Sequence, residues 1–398
     1  MKIGVSRVAV IGQGYVGLPL AMAAIGAGFE VIGIDSQELK VKLIASGISP
    51  IEDVSNETVG EALKSGYSVS NSISQVSGSS IVIFALPTPL DDQSNPDLSI
   101  LYSAIKDAAS HISEGALVIV ESTIAPGAMR DEILPLLSAN CSHSDFEVAY
   151  SPERIDPKSA KWNISNTPKL VAGLTESATK RALDFYAKFV AEVHAFSSIE
   201  VVETAKLLEN SFRLVNISFI NEISMLCSKL GIDVMEVIEA ASSKPYGFMP
   251  FYPSAGVGGH CIPVDPMYLA HKAESIGAPL RSIEVANQIN EAMPAFYVGR
   301  CVDILGNLSG KKILVVGLAY KSNVSDVREG ASEKLIGLLR KGGAMVSWHD
   351  EVVGAWNNES SSALSSDFDL AILVTIHDGV NLSLLGKTPL LNTYGGRK

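Results

Sequence analysis

The stretch RVAVIGQGYVG, residues 7–17, decides the fold of the first part of the chain. A short apolar run leads directly into glycines at positions 12, 14 and 17, and residues 18–27 then read as a buried helix. A second apolar run, residues 31–34, ends in Asp35. The order of strand, glycine turn, helix and acidic strand end predicts a Rossmann unit that binds a dinucleotide.

Each residue of this motif has a physical reason to be there. Gly12 permits a tight turn, Gly14 lets a pyrophosphate approach the backbone N–H groups at the helix start, and Gly17 lets helix and strand pack closely. Asp35 can accept hydrogen bonds from ribose hydroxyls, and its charge would repel the extra phosphate of NADP. NAD is therefore the expected cofactor, although Lys40 tempers that preference. The alternative is a glycine-rich turn with a structural role only.

Further apolar runs continue the alternation of strand and helix, at residues 81–86, 117–120, 148–150 and 170–171. They predict an α/β domain with a mostly parallel, doubly wound sheet. Ligands gather outside the carboxyl ends of such strands, where residues 87–89, 121–127 and 151–154 follow. Each of these segments alone also reads as a proline-containing turn.

Composition limits the class of protein. A chain of 398 residues that is 47% hydrophobic has enough material for two or three domains. The net charge of -12 and the lack of a dense Lys/Arg cluster argue against nucleic acid or an anionic membrane as a partner. Residues 8–29 carry no charge, but their glycines favour strand, turn and buried helix over a membrane span. Four cysteines without a spacing pattern fit a reducing compartment, so a cytoplasmic protein is expected.

A second motif, GVGGHCIPVDP at residues 256–266, places Cys261 in a glycine-rich loop. Glycines let the backbone approach a ligand closely, so this thiol is placed for chemistry, whereas Cys141, Cys227 and Cys301 read as small buried hydrophobes. A metal site is disfavoured because the sequence has no Cys-x-x-Cys pair. No metal is expected.

Residues 201–230 read as one long helix that is interrupted by Lys206, Asn210 and Arg213, whose spacings of four and three place them on one face. This polar stripe is either a set of interhelical or dimer contacts or the wall of an active site. Asp265 and Pro266 read as the N-cap and first residue of a helix over 267–276, whose start would favour a thiolate at Cys261. A second long helix is expected at residues 282–305.

The last part of the chain repeats the strand and glycine-turn pattern. Residues 313–320, 345–348 and 370–374 predict a second, smaller α/β domain. The loop at 320–329 offers a lysine and an arginine for phosphate or ribose, or it is an ordinary solvated loop. Residues 357–366 are polar and serine-rich, which predicts a loose surface loop.

Taken together, the motifs resemble the UDP-glucose/GDP-mannose dehydrogenase family, whose members oxidise a nucleotide sugar at C6 to a uronic acid. The resemblance covers nearly the full chain. It rests on residues 12–19, 151–154, 206–210 and 258–261 with Asp265, and on residues 319–321 with Arg328.

The resemblance implies two Rossmann-like domains joined by a long helical segment, and a homodimer formed through the central helices. The expected domains are an NAD-binding domain at 1–196, a helical domain with the cysteine loop at 197–306, and a UDP-sugar-binding domain at 307–398. It also implies a role for Cys261 as nucleophile, with the remaining catalytic residues being Lys206, Asn210, Asp265, Glu153 and Thr123. Residues implied to contact NAD are Gly12, Gly14, Tyr15, Val16, Gly17, Asp35, Lys40, Thr88, Ser122, Thr123 and Arg328. Residues implied to bind the UDP-sugar are Glu153, Arg154, Lys206, Asn210, Phe251, Tyr252, Ser254, Gly258, Tyr320 and Lys321.

The implied chemistry is a four-electron oxidation that consumes two NAD and passes through a thiohemiacetal and a thioester on Cys261. Residues 245–253 look like the branch that acts on UDP-N-acetylglucosamine, with UDP-glucose, UDP-N-acetylmannosamine and the galacto epimer as alternatives. Ser254 departs from the family, because Gly-Pro-Gly is usual where Ser254-Ala255-Gly256 stands. More remote alternatives are a two-electron β-hydroxyacid dehydrogenase and a non-catalytic protein that binds nucleotide sugars.

Overall fold

The computed structural model describes residues 6–156, 158–159 and 161–393. These residues form two compact units, of which the first ends at Leu208 and the second begins at Glu209. The division falls within helix α7 (Ile199–Leu230).

The described part of the first unit is built around one eight-stranded sheet. Its strands are β1 (Arg7–Ile11), β2 (Glu30–Ile34), β3 (Tyr67–Ser70), β4 (Ile81–Phe84), β5 (Ala116–Val120), β6 (Phe146–Tyr150), β7 (Lys169–Gly173) and β8 (Val193–Ala195). The helices before α7 are α1 (Gly17–Gly26), α2 (Glu38–Ala45), α3 (Asn56–Lys64), α4 (Ser99–Ala109), α5 (Leu134–Asn140) and α6 (Glu176–Tyr186). The expected doubly wound α/β domain is confirmed.

Both faces of this sheet are buried. The strand order is β3-β2-β1-β4-β5-β6-β7-β8, with β1 parallel to β2 and to β4. Val8 and Val10 of β1 pack in one apolar cluster, while Ala9 and Ile11 pack in another on the opposite face. Side chains of a strand alternate between the faces, so helices must cover both sides. The carboxyl ends of β1, β2, β4, β5 and β6 consequently lie along one edge.

Strand β7 runs antiparallel to β6, with Tyr150 opposite Ala172. A parallel neighbour would need a crossover connection, usually a helix. The described residues between these two strands contain no helix, so the chain returns in the opposite direction.

The second unit combines helices with a small parallel sheet. After α7 come α8 (Val234–Ser242), α9 (Asp265–Ser275), α10 (Arg281–Leu305) and α11 (Ala331–Lys341). The strands are β9 (Lys312–Val316), β10 (Met345–His349), β11 (Ala355–Trp356), β12 (Glu359–Ser360), β13 (Leu370–Leu373) and β14 (Leu390–Asn392). The order β10-β9-β13-β14 is parallel throughout, which confirms the second, smaller α/β fold.

The loose loop expected at residues 357–366 contains part of a small hairpin. Strand β11 pairs with β12 through a turn at Asn357 and Asn358, whose φ angles are 49° and 63°. Two successive residues with positive φ make a type I′ turn, which asparagine tolerates. The prediction of irregular structure was therefore wrong for Glu359–Ser360.

Within the described ranges, no helix is both long enough and apolar enough to cross a membrane. The uncharged segment at 8–29 forms β1, the glycine turn and α1, as the glycines predict.

Candidate functional site

The glycine turn after β1 contains two glycines that the fold requires and one that it does not. Gly12 has φ of 95°, and a Cβ there would lie 2.2 Å from the carbonyl oxygen of Ala85. A Cβ on Gly17 would lie 1.8 Å from the carbonyl oxygen of Gly12. A Cβ on Gly14 would meet nothing within 4 Å. The space beside Gly14 is therefore open to a ligand.

Asp35, at the end of β2, is held in place over this turn. Its carboxylate accepts hydrogen bonds from the backbone N–H of Gln13 at 2.9 Å and of Gln37 at 3.0 Å. Lys40 forms an ion pair with it at 2.7 Å. The carboxylate is thus fixed at the edge where a ribose would lie in a Rossmann unit.

Gln13 is a residue that the sequence reasoning missed. Its side chain is fully buried, donates to the carbonyl of Val10 at 2.8 Å and accepts from the hydroxyl of Tyr67 at 2.7 Å. Burial, followed by the nearby charge of Asp35, raises the pKa of Tyr67 well above its ordinary value, so this hydroxyl remains a neutral donor. A polar residue at the variable position of the fingerprint is the signal that could have indicated this bracing role.

These features fit a bound dinucleotide. The cap residue of α1, Val16, makes no side-chain cap hydrogen bond, so no capping side chain occupies the start of this helix, where a phosphate binds in a Rossmann unit. Tyr15 and Val16 are half-buried in this turn, and the Tyr15 hydroxyl donates to Glu52 at 2.7 Å.

The next group of expected site residues follows β4, β5 and β6 at the same edge. Thr88 and Thr123 are half-buried, while Ser122 is buried and accepts a hydrogen bond from the backbone N–H of Leu86 at 2.9 Å. Ser122 therefore ties the end of β5 to the end of β4.

Glu153, after β6, meets α7. Its Oε2 lies 3.4 Å from Nζ of Lys206, whose side chain is only 6% exposed. Glu153 also accepts from the backbone N–H of Ile155, and Arg154 donates to the carbonyl oxygen of Pro168. The structure thus brings together two of the predicted catalytic residues.

Glu203, one helical turn before Lys206, was also missed. It is fully buried, and its carboxylate accepts from the backbone N–H groups of Gly127 at 2.6 Å and Met129 at 3.0 Å. The loop that begins at Thr123 is thereby attached to α7. A glutamate four residues from apolar residues on both sides, Ile199 and Leu207, is the signal for such a buried partner.

In the second unit, the Cys261 loop is shaped by glycines that pack against Tyr320. Gly256 and Gly259 have φ of 132° and 81°. A Cβ on Gly258 would lie 2.9 Å from Cβ of Tyr320, and one on Gly259 would lie 2.8 Å from Cε2 of the same ring. The tight contact explains why glycine is needed at both positions.

Cys261 itself is half-buried, unlike two of the other cysteines. Cys227 and Cys301 are buried, as predicted, and burial raises the pKa of the Cys301 thiol to about 12. Cys141 is half-buried and packs against an apolar cluster of the core, with its sulfur 3.7 Å from Nε2 of His143, so the prediction of a buried hydrophobe is confirmed only in part. Only Cys261 combines partial exposure with a glycine-rich loop.

Asp265 lies at the start of α9, directly after this loop. Its backbone N–H donates to the carbonyl of Cys261 at 2.9 Å, and its Oδ2 accepts from Nδ2 of Asn210 at 2.6 Å. The prediction that Asp265 is the N-cap was wrong, because Val264 holds the cap and Asp265 is already helical. Asp265 is 2% exposed, and its carboxylate accepts the hydrogen bond from Asn210.

The segment before the cysteine is held by two buried asparagines, which the sequence reasoning also missed. The backbone N–H of Ser254 donates to Oδ1 of Asn221 at 2.9 Å, and that of Val257 donates to Oδ1 of Asn290 at 2.6 Å. Phe251 packs edge-on against Phe212, with ring centroids 5.7 Å apart, and Tyr252 is exposed.

The loop after β9 carries the remaining predicted residues. Tyr320 and Lys321 are half-buried, and Arg328 is exposed. Arg328 forms an ion pair with Asp326 at 2.6 Å, and Nδ1 of His260 lies 3.8 Å from the same carboxylate. The described residues contain no group of three acidic, histidine or cysteine side chains that could hold a metal ion.

Three family models match successive parts of the chain. The NAD binding domain of the UDP-glucose/GDP-mannose dehydrogenase family matches residues 6–190, its central domain matches 200–292, and its UDP binding domain matches 314–383. These matches confirm the resemblance that the motifs indicated.

Individual relatives agree with this assignment. The chain is 35% identical to a UDP-N-acetyl-D-glucosamine 6-dehydrogenase of Pseudomonas aeruginosa, over 84% of this chain and 79% of that protein. It is 34% identical to a UDP-N-acetyl-D-mannosamine dehydrogenase of Pyrococcus horikoshii, over 96% and 93%. A UDP-glucose dehydrogenase structure from Pyrobaculum islandicum superposes with a TM-score of 0.90 at 26% identity, covering 99% of this chain and 96% of that one.

Proposed function

Because the chain belongs to the UDP-glucose/GDP-mannose dehydrogenase family and is an NAD-dependent nucleotide-sugar 6-dehydrogenase, we propose that it oxidises C6 of UDP-N-acetylglucosamine to the uronic acid. The observation that carries the proposal is the half-buried Cys261 in its glycine loop, followed by an Asp265 that is hydrogen-bonded to Asn210 at 2.6 Å. This thiol is the nucleophile.

The cofactor is held by the first unit. The turn at Gly12, Gly14 and Gly17 leaves room for a pyrophosphate, Asp35 accepts from the ribose, and Tyr15, Val16, Lys40, Thr88, Ser122 and Thr123 are proposed to complete its contacts. When bound, NAD accepts one hydride in each of the two oxidations, so two NAD are used per sugar.

Cys261 makes the second oxidation possible. Its sulfur attacks C6 of the aldehyde and forms a C–S bond, which gives a thiohemiacetal that is a better hydride donor than the aldehyde. Loss of hydride leaves a thioester, and water then breaks the C–S bond and releases the acid. The aldehyde stays attached to the protein between the two oxidations.

Asn210 and Lys206 stabilise the oxygen at the reacting carbon. A primary amide has two N–H donors, and Asp265 takes one of them, which orients the group so that the other can face a developing oxyanion. The Lys206 ammonium supplies positive charge for the same oxygen. Asp265 can take up the proton of that oxygen.

Glu153 and Thr123 act on water. Glu153, whose Oε2 lies 3.4 Å from Nζ of Lys206, orders the hydrolytic water and takes its proton. Thr123, at the end of β5, offers a hydroxyl to the same water. Arg154, Phe251, Tyr252, Ser254, Gly258, Tyr320 and Lys321 are proposed to bind the UDP-sugar.

UDP-N-acetylglucosamine is the favoured substrate among several UDP-sugars. Support for UDP-N-acetylglucosamine comes from the segment at 245–253 and from relatives named as acting on that sugar. The 34% identity to a UDP-N-acetyl-D-mannosamine dehydrogenase over 96% of the chain favours that epimer as the second candidate. A panel of UDP-N-acetylglucosamine, UDP-N-acetylmannosamine, UDP-glucose and UDP-N-acetylgalactosamine, ranked by kcat/KM, decides between them.

The mechanism is tested by counting NADH. Purified protein should form two NADH per UDP-sugar, and Cys261→Ser should stall while NAD still binds. Cys141→Ser is the matched control, since that thiol is also half-buried but lies outside the glycine loop. One NADH per sugar with aldehyde accumulating, or near-normal uronate formation by Cys261→Ser, would overturn the covalent mechanism.

A homodimer through the central helices is also proposed. Phe212, Phe219 and Leu226 recur at every seventh residue of α7 and are 49%, 57% and 52% exposed. A row of exposed large apolar side chains on one helix face marks an interaction site, because burying it against another surface removes it from water. The family implies that this surface is a second copy of the chain. Sedimentation should give twice the chain mass for the wild type and the chain mass for Phe219→Glu; a wild-type monomer would refute the dimer.

A further inference from the structure

A buried cluster of charged and polar side chains lies beneath the ends of β5 and β6. Nζ of Lys169 lies 2.9 Å from Oε2 of Glu121, and their side chains are 9% and 2% exposed. The Tyr186 hydroxyl, also fully buried, donates to the other oxygen of Glu121. None of these three residues has a role in the mechanism above.

The cluster is hydrogen-bonded to the backbone just before Glu153, and Glu121 itself lies just before Thr123. Lys169 donates from Nζ to the carbonyl oxygens of Pro152 at 3.2 Å and Ser151 at 3.5 Å, the two residues before Glu153. The backbone N–H of Glu153 donates to the carbonyl of Glu121 at 3.1 Å. Glu121 is in turn two residues before Thr123 in the chain.

Stability alone does not account for such a cluster. Removing two charges from water is costly, and well-packed apolar residues of similar volume are often as stable or more stable. The Tyr186 hydroxyl stays a neutral donor, because burial, reinforced by the negative charge of Glu121, raises its pKa well above the ordinary value. What the cluster provides is alignment, since Lys169 links the Glu121 carboxylate after β5 to the carbonyl oxygens of Ser151 and Pro152 after β6, and Tyr186 holds the same carboxylate.

We propose that Glu121, Lys169 and Tyr186 are positioning residues that align Thr123 and Glu153 for hydrolysis of the thioester. The inference rests on the proposed function, because it assigns the cluster to one of its steps. The lysine draws the two carbonyl groups before Glu153 toward Glu121, and the tyrosine fixes the Glu121 carboxylate that holds the lysine. Loosening the cluster therefore shifts the water-ordering groups while leaving the nucleophile and the cofactor turn unaltered.

The main test is Tyr186→Phe, which removes one hydroxyl and keeps the ring. A displacement of about 1 Å in an active site costs on the order of a hundredfold, and the loss of one of several bonds should cost roughly tenfold in kcat. Because hydrolysis follows both hydride transfers, kcat/KM for UDP-N-acetylglucosamine should stay within about twofold, so its KM should fall together with kcat. Tyr297→Phe is the matched control, since Tyr297 is another buried tyrosine, on α10, and it should keep the wild-type kcat.

A rapid-mixing experiment separates positioning from a purely structural role. If hydrolysis alone is slowed, Tyr186→Phe forms a burst of two NADH per site at the wild-type rate, followed by slow turnover, and mass spectrometry detects the acyl group on Cys261. If the cluster only fastens the fold, burst amplitude and steady rate fall together with the folded fraction. That parallel loss, or a wild-type kcat for Tyr186→Phe, would overturn the proposal.

Variants of the ion pair give a second, independent measurement. Lys169→Met leaves Glu121 charged and unpaired and risks unfolding, so the double variant Glu121→Gln with Lys169→Met removes both charges at once. It should fold and show the same selective slowing of hydrolysis, while Lys169→Arg, which keeps the charge and donors, should recover part of the rate. A folded double variant with normal turnover counts against the proposal.

Failure of the positioning role and failure of the proposed function give different results. If the wild type yields two NADH per sugar and requires Cys261, but all the cluster variants turn over normally, only the positioning role is wrong. If the wild type yields one NADH per sugar, the function itself is wrong, and the assignment to thioester hydrolysis falls with it.

Discussion

The two Rossmann-like sheets use the same turn for different purposes. In the first unit β1 runs into Gly12, with φ of 95°, and the backbone N–H of Gln13 donates to Asp35 at 2.9 Å. In the second unit β9 runs into Gly317, with φ of 91°, and the N–H of Leu318 donates to Asp350 at 2.8 Å. Both aspartates follow the next strand of the sheet, β2 in one case and β10 in the other.

The two aspartates differ in the other groups that donate hydrogen bonds to their carboxylates. Asp350 is 1% exposed and also accepts from the N–H groups of Ala319, Val352 and Val353 at 3.1, 2.9 and 2.9 Å. Nε2 of His377 lies 2.9 Å from it, while Nδ1 of the same ring accepts from the N–H of Asn323. Asp350 is thus an internal anchor for the loop that carries Tyr320 and Lys321, whereas Asp35 is bonded to a turn in which a Cβ on Gly14 would meet open space. The same motif therefore predicts a fold better than it predicts a ligand.

The largest expected effect that would test this contrast is the loss of Asp350. Asp350→Ala leaves four backbone N–H groups and His377 without their acceptor, so we expect the free energy of unfolding to fall by about 3–5 kcal/mol. Denaturation followed by tryptophan fluorescence measures it, since Trp348 and Trp356 lie in the second unit. Asp350→Asn, which keeps one acceptor oxygen, should lose less, and Asp35→Ala should lose about 1–3 kcal/mol. Equal losses at the two aspartates would remove the distinction.

The sequence predicted the repeated strands and the Cys261 loop because both are local patterns. Apolar runs and glycine spacing are read along the chain, and each predicted run lies on a strand whose ends are within a few residues of it. The short strands β3, β8, β11, β12 and β14 were not predicted. The partners of Asp265, Asp350 and Glu121 were not predictable, since Asn210, His377 and Lys169 are each tens of residues away. Buried polar contacts between distant residues leave no periodic signal in a single sequence.

The two turns also differ at their third residue, which gives the next test. Gly14 in the first turn corresponds to Ala319 in the second, where the residue is 1% exposed. Gly14→Ala gives the first turn the small side chain of the second, and because that Cβ meets nothing within 4 Å, stability should be unchanged. The Cβ would occupy the space beside the pyrophosphate, so KM for NAD should rise tenfold or more, about 1.4 kcal/mol of binding. Unchanged NAD kinetics would show that the open space is not the cofactor site; Gly26→Ala, which also meets nothing, is the control.

A smaller effect is expected when the charge of Asp35 is removed. Asp35→Asn keeps the shape and one acceptor for the N–H of Gln13, but it weakens the ion pair with Lys40 and the acceptor for ribose. We expect KM for NAD to rise by roughly tenfold, and use of NADP to improve relative to NAD because the repulsion of its phosphate is gone. Steady-state rates with both cofactors measure this. If the ratio of kcat/KM for NAD to that for NADP is unaltered, Asp35 has a structural role like that of Asp350.

The smallest expected effect is a dependence of the free energy of unfolding on pH, caused by the buried carboxylate of Asp350. Burial alone would raise its pKa, but hydrogen bonds from His377 and from the N–H groups of Val353, Ala319 and Leu318 outweigh burial and hold the pKa well below the ordinary value. A carboxylate with a depressed pKa in the folded state stabilises the fold above its unfolded pKa, about 3.9, and this contribution is lost as the pH falls through the folded value. The difference in free energy of unfolding between the wild type and Asp350→Asn should therefore be constant from pH 7 to about pH 5 and shrink below about pH 4. Ala319→Gly, a neutral change beside the same carboxylate, should give a difference that does not vary with pH. If the Asp350→Asn difference also stays constant down to pH 3, the charge of Asp350 is not what anchors the loop.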